Sequence, residues 1–365
     1  MASIDVLLGY AALSYCVWKL LSSAANATSR GPHRLPPVPT GVRPGPGHVD
    51  VLRCFFVTSH GLALYVRKWL PRFDCKPRGV FFILHGLGEH GGRYDHVGRA
   101  LAKEGFAVFM VDHQGHGMSD GERMYAQNLR DLTEDFMEFV QHVLNGDKSD
   151  DRNAAVVDAE LEAHADVQWK DLPRFVLGHS MGGVLVLQLI ELSMEVGLDW
   201  NGVIVSSAPF WTVPGGGVAG FVGVLACLFP RMKIPPFDFT KLGNNLEVFK
   251  RWSRDELIPK QGATFALTHQ LLCEGDRFAQ GDNKLAKTFP APIYILHGEQ
   301  DTVTFAQGSV DFYNACKQKD KTMNVVPGAV HEVLNLERNE KIIKDIVTWM
   351  EARLKYTGAH CTSLR

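Results

Sequence analysis

The sequence predicts an α/β protein built on a mostly parallel, doubly wound sheet, and three observations carry that prediction. Short apolar runs of strand length alternate with helix-length segments from Val80 to Leu354. Continuous apolar runs such as Val80-Phe81-Phe82-Ile83-Leu84 fit strands covered on both faces. Only Pro209 to Pro290 breaks the alternation, and it reads as a mainly helical cap inserted between core strands.

The chain opens with an uncharged, mostly apolar run from Val6 to Trp18, between Asp5 and Lys19. It is too short to cross a ~30 Å hydrocarbon core unaided, although snorkelling of Lys19 extends it through Leu20 and Leu21. Residues 1–30 therefore read as a signal anchor or interfacial helix; an ordinary packed helix is the bland alternative. A cleaved signal peptide and entry into the secretory pathway form another, supported by Ala25-Asn26-Ala27 but not by Met1 to Asp5, which lacks basic side chains. Lys19, Arg30, Arg34 and Arg43 all follow the apolar run, which points to a membrane-associated protein with its body in the cytosol. The sequon Asn26-Ala27-Thr28 matters only if this region is lumenal. Pro32, Pro36, Pro37, Pro39, Pro44 and Pro46 mark residues 31–50 as a linker.

The main domain is expected over residues 51–355. Cys54 to Val57 and Leu62 to Leu70 flank Ser59-His60-Gly61 and suggest a hairpin. Further strands are expected at Val80 to Leu84, Phe106 to Val111, Phe175 to Leu177, Val203 to Val205, Ile293 to Leu296 and Asn324 to Val326. Helices are expected near Arg93 to Lys103, Leu129 to Leu144, Gly183 to Glu195 and Lys341 to Leu354. Residues 145–170 are polar and acidic and read as an inserted loop, and 356–365 as a tail. The cap, 209–290, begins with an uncharged stretch, Phe210 to Pro230, long enough for a membrane span by hydropathy. Pro214 and Gly215-Gly216-Gly217 oppose a continuous helix there, so an apolar cap wall that also touches a bilayer is the better reading; burial within the cap is the alternative.

The net charge of -2 and pI near 6.7 exclude a global electrostatic drive toward nucleic acid. Seven dispersed cysteines without a CxxC pair argue against a disulfide scaffold and a zinc site.

Gly178-His179-Ser180-Met181-Gly182 matches GxSxG between an apolar strand and a helix, the nucleophile-elbow arrangement of the α/β-hydrolase fold. A serine hydroxyl needs a base, and the base an orienting carboxylate. Asp301, after the strand ending Leu296, and His331, after the last strand, supply them in the chain order of this fold; Glu299 and His297 are the rivals. The amides of Leu87, in His85-Gly86-Leu87-Gly88, and of Met181 are the candidate oxyanion donors. Gly86 to Gly91 also matches GxGxxG, with Asp112 placed to hold a ribose, but that nucleotide reading leaves Ser180, Asp301 and His331 unexplained. His85, His90, His113 and His116 read as loop packing rather than a metal site.

These residues resemble the monoglyceride lipases, within a serine-hydrolase group that includes lysophospholipases and a serine aminopeptidase-like branch. The most specific pieces are His85-Gly86-Leu87-Gly88-Glu89-His90 with Arg93-Tyr94, the run Asp112 to Arg123, and the elbow ending Gly182-Gly183. The resemblance covers residues 52 to 355 apart from the 145–170 insertion, and is weakest in the cap. It implies cofactor-free, metal-free hydrolysis of monoacylglycerol, with a polar glycerol pocket near Glu89 and Arg93; a loop-bracing ion pair is the alternative for those two. Phe210, at the start of the apolar stretch, is a candidate for lining an acyl tunnel. A lysophospholipase or broad carboxylesterase is the neighbouring possibility, and a noncatalytic ligand-binding relative the distant one.

Overall fold

The computed structural model describes residues 50–71, 76–146, 152, 153, 156, 167–210, 217–235, 242, 243, 250, 252–280, 283–335 and 339–354. The N-terminal segment, all of the linker but its last residue, the tail, most of the 145–170 insertion and parts of the cap lie outside the described residues.

Eight strands form one sheet in the order β1-β2-β4-β3-β5-β6-β7-β8. Strands β1 (Asp50–Val57) and β2 (Ala63–Leu70) make the expected antiparallel hairpin, and β2 pairs antiparallel with β4 (Phe106–Val111). From β4 onward every pairing is parallel, through β3 (Gly79–Leu84), β5 (Arg174–His179), β6 (Gly202–Ser206), β7 (Ile293–Gly298) and β8 (Lys321–Val326). Parallel strands share one carboxyl edge, so loops leaving β3, β5, β7 and β8 emerge together. That edge is where doubly wound sheets place ligands.

Alternation along the central strands explains their unbroken apolar sequence. Val80, Phe82 and Leu84 of β3 join one core with Ala107, Phe109 and Val111 of β4, whereas Phe81, Ile83, Phe106, Val108 and Met110 face a second core. The first core is roofed by α2 (Leu129–Asn145), α3 (Met181–Val196), α5 (Phe265–Ala279), α6 (Lys284–Thr288) and α7 (Ala306–Ala315). The second lies under α1 (Asp95–Lys103) and α8 (Glu340–Glu351). Phe82 anchors the first core, its ring 5.9 Å from Phe109 and Trp200 and 6.3 Å from Phe136 and Phe139. Each such buried side chain contributes roughly 1.5–3 kcal/mol.

Local signals set the helix ends. Asn128 and Asp131 form a reciprocal capping box on α2, and Gly146 ends it in the left-handed region. The stretch expected as one helix from Arg93 begins as a 3-10 turn, Gly91–Tyr94, whose N-terminus is capped by His90. In the cap, α4 (Gly217–Leu228) packs on α5, Gly223 leaving room for His269. The cap is tied down at Thr264, whose amide and hydroxyl both reach Met124 O, and at Gln270, which bonds Gln127 O and the Leu129 amide. Among the described residues no helix is long and apolar enough to cross a membrane. The twelve residues of α4 reach only about 18 Å.

Candidate active site

Ser180 sits directly after β5, the strand flanked by β3 and β6. Its φ of 53° and ψ of -122° lie outside the regions ordinary side chains prefer, and its amide is fixed to Ser206 O at 2.9 Å. Glycine is required on both sides of this turn. A Cβ on Gly178 would stand 2.1 Å from Gly182 O, and one on Gly182 would stand 2.2 Å from Leu84 O. Met181 is the first residue of α3, so its amide is one of the unpaired donors at a helix N-terminus. Leu87 lies in the loop after β3, next to Gly86, whose Cβ position is 3.1 Å from Ser180 Cβ.

Asp301 and His331 meet across loops after β7 and β8, with His331 Nδ1 2.8 Å from Asp301 Oδ2. If Nδ1 carries the proton it donates to the carboxylate, and Nε2 keeps the lone pair that a base needs. Burial opposes ionisation of Asp301, but hydrogen bonds from His297 and His331 and the Thr304 amide hold its carboxyl well below the usual carboxylate range. The carboxyl accepts further from the Val303 amide at 2.7 Å and the Thr304 hydroxyl at 2.7 Å. The rival residues have partners of their own. His297 bridges Asp301 Oδ2 and Ser309 Oγ, and Glu299 accepts from the Gly328 amide.

The nucleotide alternative fails on Asp112. Its carboxylate is buried and accepts from the Gly91 and Met118 amides at 2.6 and 2.9 Å, which braces two loops and leaves no face for a ribose. His85, His113 and His116 pack ring against ring, and burial pushes His113 to about 3 and His116 to about 4. His90 caps the Gly91–Tyr94 turn and pairs with Asp255 of the cap at 2.8 Å.

Glu89 and Arg93 belong to a buried cluster with Tyr94, His179 and Glu332. Arg93 pairs with Glu332 at 3.0 Å, closer than the 4.0 Å to Glu89, and lies under the Trp252 ring. Glu89, His179 and Glu332 bring ligand-type atoms within 4.8 Å of one another, but the Arg93 guanidinium already balances the Glu332 carboxylate, so the cluster is read as an ion-pair network and not a metal centre. Phe210 is buried and stacked on Phe312 at 4.8 Å, a core contact at the root of the cap. Sequence reading missed His179, Ser207, Thr304 and Glu332. Ser207 Oγ donates to His331 O at 2.9 Å and, like Ser180, Ser207 has a positive φ. Adjacency to His331 was the one available signal for Glu332.

A sheet of this order carrying an elbow serine after β5 and an acid–histidine pair after β7 and β8 has the α/β-hydrolase fold. Residues 75–339 match the family profile described as Serine aminopeptidase, S33, and the chain belongs to that family. It is 30% identical to a monoglyceride lipase from Homo sapiens, over 83% of this chain and 91% of that one. It is 27% identical to a monoacylglycerol lipase from Mycolicibacterium smegmatis, over 82% and 96% respectively. The crystal structure of Paleococcus ferrophilus monoacylglycerol lipase superposes with a TM-score of 0.62 at 26% identity, covering 80% of this chain and 99% of that one.

Proposed function

We propose that the protein is a serine hydrolase that cleaves monoacylglycerols to fatty acid and glycerol through an acyl-enzyme. The observation that carries the chemistry is the 2.8 Å contact between Asp301 and His331, at the same sheet edge as the strained Ser180. In this reading His331 Nε2 takes the proton of Ser180 Oγ as that oxygen attacks the ester carbonyl carbon. Amides of Leu87 and Met181 stabilise the oxyanion, each worth about 3 kcal/mol. His331 then passes the proton to the departing glycerol oxygen. Water, deprotonated by the same imidazole, releases the fatty acid and restores Ser180. Asp301 remains ionised throughout and stabilises the imidazolium.

Three relatives named for monoacylglycerol or monoglyceride hydrolysis support the substrate class. A long acyl chain gains about 0.8 kcal/mol per buried CH₂, so an apolar cap favours it. Residues 209–290 are assigned as that cap. Membrane contact is part of the proposal: Phe221, Val224, Leu228 and Phe229 are exposed on and just after α4, at helical spacing. With the N-terminal segment, this face would hold the protein on a bilayer with the catalytic domain in the cytosol.

The deciding experiment compares hydrolysis of monoacylglycerol, lysophosphatidylcholine and a short-chain ester, alongside fluorophosphonate labelling. Labelling should vanish and turnover should fall about 10⁴–10⁶-fold in Ser180→Ala. Preference for the phospholipid would overturn the substrate, and labelling that survives the substitution would overturn the nucleophile.

A further inference from the structure

The buried cluster behind the three catalytic loops has no part in the steps above. Glu89 follows the loop carrying Leu87, His179 precedes Ser180, and Glu332 follows His331. Glu332 Oε2 lies 3.0 Å from an Arg93 guanidinium nitrogen and accepts from Asn335 Nδ2 at 2.5 Å. Tyr94 donates to Glu89 Oε2 at 2.8 Å, and carboxyl oxygens of Glu89 and Glu332 lie within 4.8 Å of each other. One guanidinium balances one carboxylate, so the second buried carboxyl beside the pair keeps its proton. The donors decide which. Glu332 holds the guanidinium and the amide and keeps its charge, while Glu89 keeps the proton. Arg93 and Glu332 then cancel, and Glu89 and His179 are neutral, as burial demands.

Resting on the reading of Ser180, Asp301 and His331 as the triad, we propose that Glu332 is a positioning residue for His331, bracing the base loop through an ion pair with Arg93 beside the neutral carboxyl of Glu89. The Arg93–Glu332 pair joins the loop bearing Leu87 to the loop bearing His331. The His179 ring lies between, 5.0 Å from the His331 ring. A Cβ added at Gly86 would stand 3.3 Å from Glu89 Oε1 and 3.1 Å from Ser180 Cβ, so glycine at this position lets the Glu89 carboxyl and the nucleophile turn lie close together.

The proton on Glu89 makes the brace sensitive to alkali. Burial, and then the charge of Glu332, push Glu89 up to about 8, against the opposing effects of Arg93 and Tyr94. The other groups facing it are His179, which burial pushes down to about 3, and His331 beyond Glu332. From the cap, Asp255 is committed to His90 and Trp252 covers Arg93. Above this pH two carboxylates stand within 4.8 Å of each other and repel.

The test pairs infrared titration with kinetics on the full chain. In wild type a protonated-carboxyl stretch should disappear with a midpoint near pH 8, and Glu89→Gln should lack it. In the wild type kcat should fall several-fold from about pH 7 to about pH 9.5 while KM stays level, and in Glu89→Gln that ratio should stay flat, because its amide stays neutral at any pH. Glu332→Gln should lower kcat about tenfold with little change in KM. A wild type without the infrared band, a band that survives Glu89→Gln, or a Glu332→Gln variant with full kcat overturns the proposal. Fluorophosphonate labelling, lost in Ser180→Ala, reports the triad reading separately from the infrared result.

Discussion

Asp301 concentrates more hydrogen bonds than any role short of permanent ionisation would need. Asp301→Asn should leave the backbone in place but present the wrong partner to His331, lowering kcat by about 10⁴-fold. Thr304→Ala removes one hydroxyl contact at 2.7 Å and should cost closer to tenfold; equal losses in the two variants would mean that the Asp301 loop collapses as a unit. Glu89 gives a stability signature of known sign. Its carboxyl is raised from 4.5 to about 8 on folding, so its contribution to stability falls as pH rises between those values. Glu89→Gln carries no such loss, and its melting temperature relative to wild type should climb across that window; a constant difference would contradict a buried proton on Glu89. At this scale, Ser180, Asp301 and His331 were candidates in the sequence because each follows an apolar strand in the order the fold requires. Glu332 and Thr304 were not, since their importance depends on partners such as Arg93 and His331 that only the folded sheet edge brings near.

The elements were legible in proportion to how completely each is buried. Strands β3 to β7 are covered on both faces, and their continuous apolar runs announced them. Only the last half of β8 was read, because this edge strand is half-buried throughout and opens with Lys321 and Thr322. Helix α7 escaped because only Ser309 and Phe312 of its ten residues are buried, too few to give a periodic stripe. Phe82→Ala tests the first core directly: four aromatic neighbours surround that ring, and equilibrium denaturation should show a loss of about 3–5 kcal/mol. Asn128→Ala removes half of the α2 capping box and should cost about 0.5–2 kcal/mol by the same measurement.

Across the whole molecule, the parallel order from β4 to β8 explains how residues as far apart as Leu87 and His331 reach one edge, and the segment assigned to the cap is tied to the loop before α2 at Met124 and Gln127. The alternation of strands and helices was enough to infer this plan, whereas the path of the cap was not, because its apolar residues answer both to the core and to whatever lies outside. Replacing Phe221 and Leu228 with serine should reduce binding to phospholipid vesicles while leaving hydrolysis of a dissolved short-chain ester within about twofold. Unaltered vesicle binding would remove α4 from the docking surface. If the exposed side of α4 docks on lipid as proposed, it also changes what concentration means for this protein. A monoacylglycerol dispersed in a bilayer is met in two dimensions, so at fixed total ester, turnover should follow the area of lipid offered and slacken when inert lipid dilutes the substrate within the surface.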